Sequence, residues 1–127
     1  LVIELKEDKH AVNEVLKLIK KNKIEDKVII VSFYHNYLRK VKKINPKIIT
    51  ALLVFKPLLM IERAKFCKSD LIGIYYRFLN KKLIEKTHKR NLKIFAYEGV
   101  EENLTKDKIK KLINLGLDGF ALNKPIL

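Results

Sequence analysis

Glu4 and Lys6, two positions apart, form the sharpest chemical pair in the sequence. They close the apolar run LVIEL, residues 1–5, and in an extended strand side chains at i and i+2 leave the same face. A carboxylate and an ammonium projecting together offer an oxygen ligand to a hard divalent cation and a point charge to a phosphate. An ion pair capping the strand would use the same two residues, and spacing alone does not separate the two roles. Other polar or aromatic groups close later apolar runs: Ser32, Tyr75 and Tyr76, Tyr97 and Glu98, and Asn123. Of the three histidines, only His35 follows such a run, and a solvated loop position explains it as simply as chemistry does. His10 and His88 fall on helical patterns, and Cys67 beside Phe66 reads as a packed core residue. The sequence has no Cys/His spacing of a metal cluster, no nucleophile elbow and no visible triad.

The elements that must position these groups follow from hydrophobic periodicity. Strands are expected at 1–5, 27–33, 47–55, 71–76, 92–98 and 118–122, each a short apolar run rich in β-branched or aromatic residues. Between them lie helical patterns. In 10–22, Val12, Val15, Leu16 and Ile19 recur at three- and four-residue spacings. Asn36 is a candidate N-cap for a helix to about Ile44, and Pro57 can sit in the first turn of another to about Lys68. Asn80 and Thr105 are candidate caps for the last two, with Gly116 the expected left-handed stop.

Strand and helix alternating six times indicate parallel β-α units, either an open doubly wound sheet or a closed barrel. No glycine-rich phosphate loop follows a strand, and the even period with uniformly apolar strands favours the barrel. A complete barrel needs eight strands and roughly 250 residues, with about 200 a usual lower figure. Six strands in 127 residues are therefore expected to be a single partial (β/α) barrel domain of TIM type spanning 1–127, strands three to eight with the first two missing. Barrel enzymes carry their chemistry at the C-terminal ends of the strands, where the groups named above fall.

Composition narrows the setting. Nearly half the residues are apolar, enough for a core, and the chain opens on Leu1 inside an apolar run with no basic leader before it. That opening suggests a fragment. One cysteine precludes an internal disulfide, and no apolar run approaches the roughly 20 residues needed to span a bilayer; a cytoplasmic location is expected. The net charge of +14 comes from lysines spread over amphipathic helices, so a solvated basic surface is preferred to a polyanion-binding one, and no nucleic-acid partner is expected.

Four segments in order resemble the glycerophosphodiester phosphodiesterases. LVIELK at 1–6 resembles the family's third-strand E-x-K motif. VIIVSFYHNYLRKVKKINPKIITALL at 28–53 is similar to the stretch that follows, and HKRNLKIFAYEGVEEN at 88–103 to the segment ending in Trp-Thr-Val-Asn. LINLGLDGFALNKP at 112–125 resembles the closing Leu-Gly-Val-Asp-Gly-Ile-Ile-Thr-Asp-x-Pro.

The resemblance implies a barrel that hydrolyses small-molecule glycerophosphodiesters to an alcohol and glycerol 3-phosphate with a divalent cation, Mg²⁺ or Ca²⁺. It implies Glu4 as a metal ligand and Lys6 as the phosphate contact, with Tyr97 in place of the pocket tryptophan. Ser32, Tyr97 and Asn123 are then expected around the substrate pocket. Glu98, Gly99 and Val100 replace Thr-Val-Asn, and Leu122 and Asn123 replace Thr-Asp. The family's His-Arg-Gly, Glu-x-Asp and second histidine are absent, so no catalytic histidine can be named and these residues alone are expected to be inactive. Completion is expected from an upstream segment or a second copy of the chain. The alternative is a non-catalytic barrel fragment or degenerate relative that binds polyanions or a protein through its basic surface.

Overall fold

The computed structural model describes residues 1–124. Pro125 of the closing motif, and with it the end of the domain expected over 1–127, lies outside the described residues. Six strands form one sheet: β1 (Val2–Glu4), β2 (Ile29–Ser32), β3 (Ile49–Val54), β4 (Leu71–Tyr75), β5 (Lys93–Tyr97) and β6 (Gly119–Ala121). Between them run α1 (Ala11–Lys21), α2 (His35–Ile44), α3 (Met60–Phe66), α4 (Lys81–Lys89) and α5 (Lys106–Asn114). All five ladders are parallel, and the strands lie in the order of the chain. Val2 on the first strand and Gly119–Ala121 on the last line one hollow of about 430 Å³, so the sheet curls into an arc whose edges face each other. Among the described residues no ladder joins β1 to β6, and the arc stays open.

Alternation along each strand separates two faces. Ile30, Leu52, Ile72 and Ile94 are fully buried on the convex face, in one cluster with Leu38, Met60 and Ile84 from the helices. Each such burial is worth about 1.5–3 kcal/mol, so this layer carries the fold. On the concave face Val31, Ala51 and Leu53 form a small buried cluster, with Ile29, Leu71, Phe95 and Tyr97 half-covered around them. Gly73 belongs to this inner layer, and a Cβ there would collide with the Phe95 ring and Leu53; glycine is what lets Phe95 lie across the arc.

Local boundaries depart from expectation where turn chemistry overrides periodicity. Asn36 does not cap α2: the helix begins two residues earlier than that cap implies, at His35, and the Ser32 hydroxyl accepts the Tyr34 N–H at 3.0 Å in the turn before it. Pro57 does not open α3, which starts at Met60 after a turn in which Leu59 takes a left-handed φ of 53°. Asn80 and Thr105 do cap α4 and α5, accepting from the Leu83 and Lys108 N–H groups, and Gly116 ends α5 with φ 98°.

A repeated device fixes where strands begin. Asp70, just before β4, accepts the Thr50 N–H of β3 at 2.8 Å and pairs with Lys42 of α2 at 2.6 Å. Asp118, just before β6, accepts the Ile94 N–H of β5 at 2.8 Å and meets His88 of α4 at 2.7 Å. In both places the aspartate's own N–H donates back to the same residue's carbonyl, Thr50 or Ile94, at 3.0 Å. Each aspartate thus joins two neighbouring strands and the helix that precedes the first of them. Lys42 is the more committed cation: its side chain is 8% exposed and it also donates to the Ile48 carbonyl at 2.7 Å.

Asp70→Ala, which strips the Thr50 N–H of its side-chain acceptor and the buried Lys42 of its carboxylate, should lower unfolding stability by about 1–3 kcal/mol. Asp70→Asn, which keeps an acceptor for Thr50, should recover part of that loss. Urea denaturation followed by circular dichroism compares the two; equal stability of all three proteins would show that the tether does not hold the sheet.

Candidate active site at the mouth of the arc

Because all strands are parallel, their C-terminal ends share one rim. Register assigns the side chains there. Glu4 sits opposite Val31, an inner-face residue, so Glu4 projects to the concave side; Leu5 after it is buried in the convex core, and Lys6 follows beyond the end of β1. Both Glu4 and Lys6 are exposed. Tyr97 is on the same inner face in register with Tyr75, and its hydroxyl donates to the Val54 carbonyl at 2.8 Å. Phe33 meets the Tyr97 ring edge-on at 6.1 Å, closing the distance from β2 to β5 across the hollow.

Ser32 does not reach this rim. Its register partner Leu52 is in the convex core, and Ser32 is completely buried, its hydroxyl donating to the Leu5 carbonyl at 2.7 Å and accepting from Tyr34. A hydroxyl engaged by two backbone groups binds the first two strands together and is not a pocket wall. Asn123 stands at the rim but turns inward on the protein. Its amide Nδ2 donates to the Gly99 and Glu102 carbonyls at 2.6 and 2.9 Å, and its own N–H donates to Glu98. Glu98, buried at the end of β5, also accepts the Leu104 N–H at 2.6 Å, so it gathers the loop between β5 and α5. His35 packs against Phe66, and His88 lies with Asp118 at the opposite end of the sheet.

Sequence reasoning missed Glu102. It lies in a loop without periodicity, and nothing local marks it. Its carboxylate accepts from the Tyr75 hydroxyl at 2.8 Å, from Arg77 at 2.8 and 3.2 Å, and from the Gly99 N–H at 3.0 Å. Those bonds, Tyr75's first, hold the Glu102 carboxyl below the usual carboxylate range. Tyr75 is raised above the ordinary phenol value by desolvation first and the Glu102 bond second. Desolvation, with the neighbouring Tyr75, pushes Tyr97 up to about 12. Around them runs an aromatic wall: Phe55 stacks on Tyr75 at 5.1 Å, Phe78 meets Phe55 at 5.5 Å, and Tyr97 lies 6.1 Å from Tyr75. Among the described residues neither the Glu4 carboxylate at the end of β1 nor the Lys6 ammonium just after it has an ion-pair partner, and an aromatic wall rises at the ends of β3 to β5. That arrangement suits an anionic group flanked by a small apolar-faced one.

A sequence model of the glycerophosphoryl diester phosphodiesterase family matches residues 2–127. The chain belongs to that family. No curated protein matches. Among solved structures, the chain is similar to a candidate glycerophosphodiester phosphodiesterase from Galdieria sulphuraria, with TM-score 0.87 and 20% identity over 98% of this chain and 54% of that one. A counterpart from Silicibacter pomeroyi DSS-3 gives TM-score 0.79 and 19% identity, over 95% and 46%. A phosphodiesterase of Oleispira antarctica, solved with the product sn-glycerol-3-phosphate, gives 0.78 and 21% over 92% and 48%. At these identities the likeness shows the fold, a β/α barrel of which this chain is an arc. The chain spans about half the length of the solved structures it matches.

The Glu102 lock has a signed pH dependence. A carboxyl depressed in the folded state stabilises above its unfolded value, about 4.3, and that stabilisation is lost as pH falls through the folded value. Thermal unfolding of Glu102→Gln should therefore fall below that of the parent at neutral pH and converge with it in acid. On the alkaline side, tyrosinate absorbance should show ionisation above the ordinary phenol range that Tyr75→Phe and Tyr97→Phe each reduce, Tyr97→Phe removing the step at about 12. An alkaline titration unchanged by both substitutions would contradict the desolvation of these two phenols.

Proposed function

We propose that residues 1–127 are the later part of a single barrel domain whose complete form hydrolyses glycerophosphodiesters to an alcohol and glycerol 3-phosphate. Family membership carries this reading, and the place of Glu4 on the concave side of the rim, with exposed Lys6 two residues on, supports it. In it Lys6 holds the diester phosphate as a point charge, Tyr97 and its aromatic neighbours wall the glycerol side, and Glu4 contributes one carboxylate to a divalent cation, Mg²⁺ or Ca²⁺. Asn123 acts through the loop it ties and not by direct contact, and Ser32 has no place at the substrate. A cytoplasmic setting belongs to the same reading; among the described residues no helix is long and apolar enough to cross a membrane.

The residues present do not complete a metal site. A hard divalent cation takes six or more oxygen ligands, and among the described residues no three His, Cys, Asp or Glu side chains converge to hold one. Glu4 by itself is a fraction of such a site, so no chemical step is assigned to a bound cation here. What this chain's own residues supply is the phosphate's charge partner, the aromatic wall and a rigid rim. The groups that move protons must come from the strands that would fill the gap between β6 and β1.

The 127-residue chain with a divalent cation and glycerophosphocholine should show no turnover. A polypeptide that supplies the two further strands in cis should turn over, and Glu4→Ala and Lys6→Ala in it should each lower kcat/KM by roughly 10²-fold or more. Turnover by the short chain, or an extended protein indifferent to Glu4→Ala, would overturn the assignment.

A further inference from the structure

Charge and exposed apolar side chains are concentrated in the same stretch of this chain. Between Phe33 and Ser69 the sequence carries nine basic side chains and a single acidic one, Glu62, a net +8 out of the chain's +14 in under a third of its length. The same stretch holds eight of the thirteen large hydrophobic side chains that are exposed among the described residues. Leu58 is 77% exposed and Leu59 58%, both in the turn that leads from β3 to α3 at the rim. Phe33, Tyr34 and Phe55 are exposed on the same rim, and Phe66 on the outer wall below it.

That wall is a groove of about 500 Å³ between α2 and α3, lined by Arg39, Lys40, Lys43, Phe66 and Lys68. The Arg39 guanidinium lies 4.3 Å from the centre of the Phe66 ring. Lys42 is the exception in this cluster, already committed to Asp70. The remaining cations have no acidic partner within salt-bridge distance among the described residues.

Three kinds of partner take a basic surface. A nucleic acid would stack bases on Phe66, but Arg39 already covers that ring, and exposed aliphatic side chains at Leu58 and Leu59 serve no polynucleotide. Protein interfaces deplete lysine from their centres, whereas here lysine is the commonest residue of the groove. An anionic lipid surface uses both features at once: aliphatic tips enter the acyl boundary while lysine and arginine stems reach back to the headgroups.

We propose that the α2–α3 side of the rim docks on an anionic lipid surface, with Leu58 and Leu59 inserting and the Arg39–Lys43 groove facing the headgroups. The rim that carries Glu4 and Lys6 is then held at the interface, which makes the substrate class a glycerophosphodiester with a lipid alcohol. The substrate clause rests on the proposed function; the docking surface does not.

Sedimentation with vesicles tests the surface. The chain should bind equimolar phosphatidylserine and phosphatidylcholine vesicles and not pure phosphatidylcholine. Leu58→Glu/Leu59→Glu should weaken that binding about tenfold or more with an unchanged thermal unfolding curve. Lys40→Glu/Lys43→Glu should weaken it and flatten its salt dependence. Leu18→Glu/Ile113→Glu, exposed leucine and isoleucine on α1 and α5, should bind as the parent does. Failure to bind the phosphatidylserine vesicles, equal binding to both vesicle types, or binding unaffected by Leu58→Glu/Leu59→Glu would overturn the proposal. So would displacement from vesicles by a single-stranded oligonucleotide whose own binding survives Leu58→Glu/Leu59→Glu. In the complete enzyme, Leu58→Glu/Leu59→Glu should spare hydrolysis of soluble glycerophosphocholine and slow hydrolysis of a vesicle-borne acylated diester. Vesicle binding without any hydrolysis would remove the proposed function and leave the docking surface standing.

Discussion

Strand register is the constraint on which the rim depends. Side chains alternate along a strand, so a slip of one residue would send Glu4 and Tyr97 into the helix layer and bring Leu5 and Ala96 to the concave face. Two forces oppose such a slip. The convex face is a continuous row of large aliphatic side chains that only one register can bury, Ile30, Leu52, Ile72 and Ile94 among them. At the far end of the sheet, Asp70 and Asp118 each fasten a strand start to its neighbour and to a helix. The rim is assembled at one end because the register is held at the other.

The two faces of the sheet carry unequal shares of this work. The convex face holds the main core, and the concave face buries little beyond Val31, Ala51 and Leu53. In a complete barrel the inner face would be filled by layers of side chains fed from alternate strands. Here Phe95 spans part of that space over Gly73, and the hollow between β1 and β6 stays open. The arc is held together from outside, which is why its inner residues can be so polar at the rim and so sparse at the centre.

Much of this architecture was legible in the sequence because burial writes itself into periodicity. The six strands lie where the apolar runs predicted, and helix ends that depend on one residue, the capping side chains of Asn80 and Thr105 and the left-handed backbone of Gly116, were found from that residue. What sequence could not show depends on backbone partners brought together by folding. Asn36 lost its capping role to a turn built on Ser32, and Pro57 was displaced from the helix start by a left-handed Leu59. Ser32 itself was expected at the pocket because it ends a strand; parity along that strand turns it the other way. Glu102 was invisible because its partners Tyr75 and Arg77 lie 27 and 25 positions away.

The sharpest departure from the family pattern, Glu98-Gly99-Val100 where Thr-Val-Asn is expected, has a physical account in the fold. Glu98 does not face a ligand. It accepts the N–H groups of Leu104 and Asn123, and Asn123 returns hydrogen bonds to the Gly99 and Glu102 carbonyls. Glu102 in turn clasps the Gly99 N–H together with Tyr75 and Arg77. These substitutions are therefore coupled: replacing Asn123 takes partners from the loop, and replacing Glu98, the buried member of a half-exposed network, leaves the Leu104 and Asn123 N–H groups without their acceptor. The departures at Glu98 and Asn123 form one loop lock that stiffens the rim between β5 and α5. The lock consumes none of Glu4, Lys6 and the face of Tyr97, the groups to which the proposed function gives ligand recognition.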